Sequence, residues 1–277
     1  MTILIGPTKA AALAAAGTEN NPLVFWDNAG ASGTYSTGVG TEVENAALAA
    51  TGTTYDAWVA TPSNIDRAAL MIVLPSPQEV DCIAIAAHNI ADIGGTVRFE
   101  YNDAAGGGGT WQQLDVETPT DNQAIMAYFD GVTADYWRIL LTNITEDVEI
   151  AVAFIGSVLT IPQRIYQGYT PPITPTNVRL QSNVSQGGNL LGAAVTGEGS
   201  SASPAIDHVE PTFIRAADFK GLMKHFNDGN GVFWAWRPTK YHDLFFAWRD
   251  GGTIVPTNSG PKDLMSFNLN MRFHDEP

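Results

Sequence analysis

Two short segments set an indole close to carboxylate and amide groups: Trp26-Asp27-Asn28 and Tyr55-Asp56-Ala57-Trp58. An aromatic ring can stack on the C–H face of a saccharide while fixed polar groups beside it take the hydroxyls. Trp26, Asp27, Asn28, Asp56 and Trp58 are therefore the candidate ligand-binding residues. A second concentration of rings, Trp234, Trp236, Phe245, Phe246 and Trp248, falls within fifteen residues. Residues two apart on a strand share a face, so Trp234 and Trp236 are expected on one side of one strand. These rings either pack a core or anchor a subunit interface. With Arg164, Tyr166 and Tyr169 from a Pro-rich stretch, Trp234, Trp236 and Trp248 are the candidate assembly residues.

Metal and nucleophile chemistry has thinner support. Asp27, Glu42, Glu44, Asp56 and Asp66 lie before or between early strands, where loop carboxylates and carbonyls can chelate calcium. The five histidines and the single Cys82 lack zinc spacing, and Asp207-His208-Val209-Glu210 reads as a solvated loop. No Gly-x-Ser-x-Gly elbow is present, so the common serine hydrolases are excluded and a non-enzyme is expected. His88 closes an apolar strand and is expected to bond a neighbouring carbonyl. Apart from calcium, no cofactor is expected.

The elements that position these groups follow from composition. The 277 residues carry 27 Gly, 16 Pro and 10% aromatics with only 16% charged residues, which favours short strands and turns over helix bundles. Cys82, within an apolar run, reads as a buried small hydrophobe. No apolar run is long enough for a membrane helix, and the Ala-rich stretch 10–16 lacks the flanks of a secretory signal. The net charge of −15 is uneven: residues 1–160 hold four basic and 19 acidic side chains, whereas 161–277 hold ten of each. So acidic a first part repels phosphate backbones and anionic membranes, which argues against nucleic acid and membrane insertion.

The charge step coincides with a stretch from Ile161 to Pro175 that holds four prolines. Prolines remove amide donors, so 161–176 reads as a connector between units 1–160 and 177–277. In the first unit, segments 69–74, 82–87, 96–101, 136–141 and 148–155 have strand length and β-branched or aromatic content, and together they suggest an antiparallel β-sandwich. Asn102 to Gly109 is a connection between strands without the Gly-Lys-Ser/Thr ending of a phosphate loop. The second unit has one helix signal: Phe219, Leu222, Met223 and Phe226 lie at i, i+3, i+4 and i+7, with Asp218 as cap and Gly229 as stop. Strands are expected at 231–236, 244–248 and 264–273, the last with the cleanest alternation in the chain. The fold class is thus mainly β, with a jelly-roll sandwich followed by a β-rich α+β domain with one packed helix.

Two resemblances attach to these segments. Tyr55-Asp56-Ala57-Trp58, Leu70 to Leu74, Val97 to Tyr101, Trp111-Gln112-Gln113-Leu114 and Asp135 to Leu141 follow the order found in the discoidin, or galactose-binding-like, jelly-roll family. This resemblance implies the fold; the family includes sugar-binding, lipid-binding and purely structural members. Beyond residue 160, Pro162 to Pro172, Ser185 to Gly192, Phe233 to Pro238, Phe246-Ala247-Trp248 and Asn258 to Ser266 resemble minor structural proteins of tailed bacteriophages. That likeness implies a virion component of tail, tail tip or fibre, with virion proteins and copies of itself as partners. The second unit would dock in the particle while the acidic jelly roll projects. A host-binding adhesin for surface carbohydrate and a capsid decoration protein are the alternatives.

Overall fold

The computed structural model describes residues 2–102, 108–165, 169–172, 177–187, 189–259 and 263–274. In chain order the first part contains β1 (Thr2–Ile5), helix α1 (Pro7–Ala15), β2 (Leu23–Asn28), β3 (Thr34–Val39), β4 (Thr41–Glu44), β5 (Trp58–Thr61), β6 (Arg67–His88), β7 (Thr96–Asn102), β8 (Gln112–Glu117), β9 (Ile125–Thr142) and β10 (Val148–Thr160). The second contains β11 (Asn177–Val184), β12 (Leu190–Ala202), β13 (Ala205–Val209), helices α2 (Pro211–Arg215) and α3 (Ala217–Asn227), β14 (Val232–Ala235), α4 (Pro238–Tyr241), β15 (Phe245–Arg249), β16 (Thr257–Asn258), β17 (Met265–Asn268) and β18 (Met271–Phe273).

The fold is mainly β, as composition implied, and its described strand pairs are antiparallel except that β1 runs parallel to β9. Two long strands build the first half as a sandwich by changing layers. The early part of β6 pairs with β3 and the late part of β9, while its later part pairs with β10 and the early part of β9. Register shifts at Val73/Gln78 and Val80/Cys82 mark the turn of the strand, the device by which a strand passes from one sheet to another. Segments 69–74 and 82–87 are thus two halves of one strand. β7 and β8 extend the first layer, and β5 and β4 extend the second. Inward side chains from both layers, including Trp58, Leu70, Ile85, Phe99, Trp137 and Ile150, form a core whose buried members lie within residues 35–155, with Leu4 and Ala29 packed against it. Cys82 is fully buried, and burial holds its thiol well above the usual range.

The second half continues this sheet. β2 lies between β10 and β14, and the order runs on through β15 and β18 to β12 and β11. A boundary at 161–176 therefore separates two compositions, while hydrogen bonding passes across it through β2. Among the described residues the continuous sheet has 15 strands, and β13, β17 and β16 form a separate one of three. Helix α3 covers the β14–β15–β18 face with Phe219, Leu222 and Phe226, against Val232, Trp234, Ala247 and Phe273. Gly229 stops it with φ of 89°, a left-handed conformation in which a Cβ is costly. Asp218 is in the first turn but does not cap it, since no side chain caps this helix.

One further expectation is corrected. The alternating run 264–273 breaks at Leu269-Asn270, so β17 joins the small sheet and β18 the large one; alternation records which side chains are buried, not which partner each half finds. The Ala-rich N-terminal stretch is helix α1, started by Pro7 at its first position and buried only through Leu13. Residues 103–107 of the glycine-rich connection, and Tyr166 with residues 173–176 of the connector, lie outside the described residues.

Candidate functional site

The first candidate pair divides sharply. Trp58 is fully buried in the sandwich core, where its Nε1–H donates to Thr37 Oγ1 at 2.8 Å. Trp58 is therefore a packing residue, which corrects its assignment as a ligand contact; Asp56 stands exposed on the preceding loop, next to Tyr55 at 93% exposure. Asn28 is also structural. Its Oδ1 accepts from the backbone N–H groups of Gly30 and Ile155, both at 3.1 Å, and so ties the end of β2 to β10.

Trp26 and Asp27 line a groove of about 230 Å³ with Ser157, Val158, Leu159 and Asp218. Asp27 and Ser157 are cross-strand partners on β2 and β10, and a register shift follows directly at Ser157/Val158. The strands can approach here because residue 156 is glycine; a Cβ on Gly156 would overlap the Asp27 carbonyl. Trp26 is half-buried, its indole laid across Gly221 of α3, where again a Cβ would overlap the ring. The His225 ring supports it at 5.7 Å. Partial desolvation, then the charge of Asp218, raises the Asp27 carboxyl above its ordinary value. The groove thus offers one fixed aromatic wall, two carboxylate acceptors and a hydroxyl.

Asp218 was missed in this role because it lies far from Asp27 in sequence and only the packing of α3 on β2 brings them together. The five carboxylates considered for calcium are not gathered in this way: among the described residues no group of three or more metal-ligating side chains occurs. Glu42, one of them, accepts from Thr37 Oγ1 at 2.9 Å and from the Ala46 N–H at 3.2 Å. His88 closes its loop, with Nε2 bonded to the Gln123 carbonyl at 3.0 Å and Nδ1 accepting from the Ile90 N–H at 3.4 Å.

The assembly candidates also separate. Arg164 turns inward, donating to the Gly17 carbonyl and Glu19 carboxylate at 3.0 Å and to Asn21 Oδ1 at 3.3 Å. Its guanidinium clasps the end of α1 and is not an outward anchor. Trp234 is fully buried, and its Nε1–H donates to the Tyr169 hydroxyl at 2.9 Å. Trp236 lies past the end of β14 and does not share a strand face with Trp234; it is half-buried between Tyr169 at 5.2 Å and Tyr241, stacked at 5.2 Å and 9°. Tyr241 is 43% exposed, so this stack reaches the surface. Trp248 is elsewhere, half-buried on β15.

No protein-family profile matches the chain, and no curated relative does. Solved structures overlap about half of it. A GH29 fucosidase of Ruminococcus gnavus in complex with fucose gives a TM-score of 0.40 at 13% identity, covering 49% of this chain and 27% of that one. Chitosan-binding module 1 of a chitosanase/glucanase from Paenibacillus sp. IK-5 gives 0.41 at 16%, covering 47% and 99%. The Clostridium perfringens module CpGH89CBM32-5, in complex with GalNAc-β-1,3-galactose, gives 0.40 at 8%, covering 46% and 97%. The chain thus spans about a quarter of the fucosidase and nearly all of each module. Overlaps this partial leave function to the geometry of the chain's own surfaces.

Proposed function

We propose that this chain is a non-enzymatic carbohydrate-binding protein that holds its ligand in the Trp26–Asp27–Asp218 groove. The observation that carries the reading is a half-buried indole, held against Gly221 and His225 of α3, beside two carboxylates and the Ser157 hydroxyl. A pyranose would stack its C–H face on Trp26 and donate hydroxyls to Asp27 and Asp218, bonds strengthened by the charge of the acceptor. Binding by a preformed wall avoids ordering a mobile ring. Titration of the whole chain with a panel of neutral mono- and disaccharides tests this. At least one is expected to bind, and Asp27→Asn and Trp26→Ala are each expected to weaken it about tenfold or more. Variants that keep wild-type affinity and melting temperature would remove the groove from consideration.

A second reading is favoured by the Tyr169–Trp236–Tyr241 cluster, in which Trp236 and Tyr241 stack. In a tailed-phage virion, this surface of the charge-balanced half would dock on neighbouring virion proteins or further copies, leaving the acidic sandwich to reach host carbohydrate. A stacked pair of rings with one exposed member is suited to such an anchor. Tyr241→Ala, on the outer edge, should abolish incorporation into particles without changing the melting temperature by more than a few degrees. Normal incorporation would exclude this face.

A further inference from the structure

The alternation of β15 and β18 sends Ala247, Met271 and Phe273 toward α3 and therefore sends Trp248, Asp250 and Arg272 to the other face. On that face Ser201 of β12, Arg272 of β18 and Trp248 of β15 are successive cross-strand partners, forming one row across three strands. Cavities flank the row at both ends. One, of about 590 Å³, is lined by Asn177, Arg179, Ser201, Asp250 and Arg272; the other, of about 190 Å³, by Thr53, Thr54, Gly229, Gly231 and Trp248. Strands are spaced by about 4.8 Å, so the row from Ser201 to Trp248 spans about 10 Å before the second cavity begins.

We propose that this row is a second binding site, separate from the Trp26 groove, and that it takes an acidic oligosaccharide whose carboxylate lies at Arg272 and Arg179. The chemistry of the lining supports each part of that assignment. Guanidinium groups bind carboxylates through paired N–H donors. Asn177, whose Nδ2 donates to Ser201 Oγ at 2.8 Å and leaves its amide oxygen to accept, lines one cavity, Thr53 and Thr54 line the other, and Trp248 supplies a ring between the two. Neither Arg272 nor Asp250 forms an ion pair with another described residue, so Arg272 keeps its charge for a ligand. The chain as a whole has a charge of −15, but an exposed charge acts over a Debye length of about 8 Å at physiological ionic strength. Arg179 and Arg272 both line the larger cavity, together with Asp250. An extended ligand fits better than a compact anion because the two cavities lie on opposite sides of one ring.

The test is calorimetric titration of the full chain with a linear trimer of uronic acid, its methyl ester and inorganic phosphate. The acid trimer is expected to bind; the ester about tenfold more weakly or worse, and phosphate about a hundredfold more weakly. Arg272→Gln, at an exposed position, should cost about tenfold while leaving the melting temperature unchanged, and Arg179→Gln should act in the same direction. Trp26→Ala should leave this affinity within about twofold, since distant sites act independently. Failure of the acid trimer to bind, equal binding of acid and ester, phosphate binding as tightly as the trimer, or an indifferent Arg272→Gln each overturns the proposal. Loss of trimer binding in Trp26→Ala with none in Arg272→Gln would place the saccharide in the Trp26 groove and overturn this site alone.

Discussion

The two halves of the molecule bury their apolar residues in different ways. Among the described residues the fully buried side chains of the sandwich core, Trp58, Phe99 and Trp137 among them, all lie between Tyr35 and Ile155, with Leu4 and Ala29 packed against them. The core under α3 draws Val24, Ile161 and the edge of Trp26 into contact with Phe219, Trp234 and Phe273, and a further cluster joins Phe25 and Phe154 to Phe233 and Phe246. One half closes on itself; the other closes on its neighbour. The difference teaches that an abrupt change of charge reports the surface each half presents to water, whereas the seam of the fold follows β2, which has sheet partners on both sides. Both candidate saccharide sites depend on that seam: Asp218 meets Asp27 across it, and Thr53 meets Trp248 across it.

Cutting the chain is the severest way to break this comparison. Residues 1–160 produced alone keep the self-contained core and are expected to fold into a β-rich domain. They lose Phe233, Phe246 and Trp234, so Phe25, Val24 and Phe154 become exposed. The fragment should therefore melt below the whole chain and bind a hydrophobic dye that the whole chain ignores. A fragment that melts like the intact protein would show that the seam contributes nothing; an unfolded fragment would show that the first core does not stand alone.

Single rings sharpen the contrast. Trp137 is fully buried, stacked on Phe129 at 6.3 Å and tilted on Tyr101 at 5.7 Å, with its Nε1–H donated to the Ala134 carbonyl at 3.2 Å. Trp137→Ala should cost about 3–5 kcal/mol by denaturant melting. Trp26→Ala, which removes a half-exposed ring at the seam, should cost clearly less. Equal losses would contradict the assignment of one ring to the core and the other to a groove.

Protonation tests the sandwich from a different side. His88 is buried, and burial holds its imidazole down at about 4 against the ordinary 6.5, with the Gln123 carbonyl and Asp121 pulling weakly the other way. The unfolded chain therefore binds this proton first as pH falls. Stability from the neutral imidazole is complete above pH 6.5, declines as pH falls from 6.5 to about 4, and levels off below that. The full difference corresponds to about 3 kcal/mol. His88→Gln, whose amide can still donate to the Gln123 carbonyl, should remove this slope. Urea melts of both proteins at pH 7 and 4.5 provide the check, and parallel losses would mean that His88 titrates normally.

Much of this architecture was legible because burial leaves a period in the sequence. The strands around Leu70, Ile85, Phe99 and Ile139 showed their apolar content, and Phe219, Leu222 and Phe226 marked α3 by helical spacing. Helix α1 was not legible: with only Leu13 buried, it has no apolar stripe. The break at Leu269-Asn270 was hidden because both β17 and β18 bury alternate residues, each in a different sheet. At the candidate sites, Trp26 and Asp27 were legible as chemistry, but Trp58 looked the same until its hydrogen bond to Thr37 and its burial were known. Asp218 was read only as a helix cap and Arg272 carried no local signal, since each gains its place at a site from partners supplied by distant strands.

The smallest of these effects, and the most specific to the seam, concerns Gly156. Its backbone follows β10 past Asn28, its partner on β2, and the Asp27 carbonyl occupies the space that a Cβ would take. The obstacle is backbone and not the end of a flexible side chain, so Gly156→Ala must push β2 and β10 apart. Overpacking of this kind costs about 1–3 kcal/mol. Ser157 and Asp27 are cross-strand partners one residue further on, so the displacement should also shift both groups in the Trp26 groove. The variant is therefore expected to lose affinity for a neutral saccharide while retaining binding of the acidic trimer at Arg272. If both affinities fall together, the two sites are coupled through β2; if neither falls, the approach of these strands does not shape the groove.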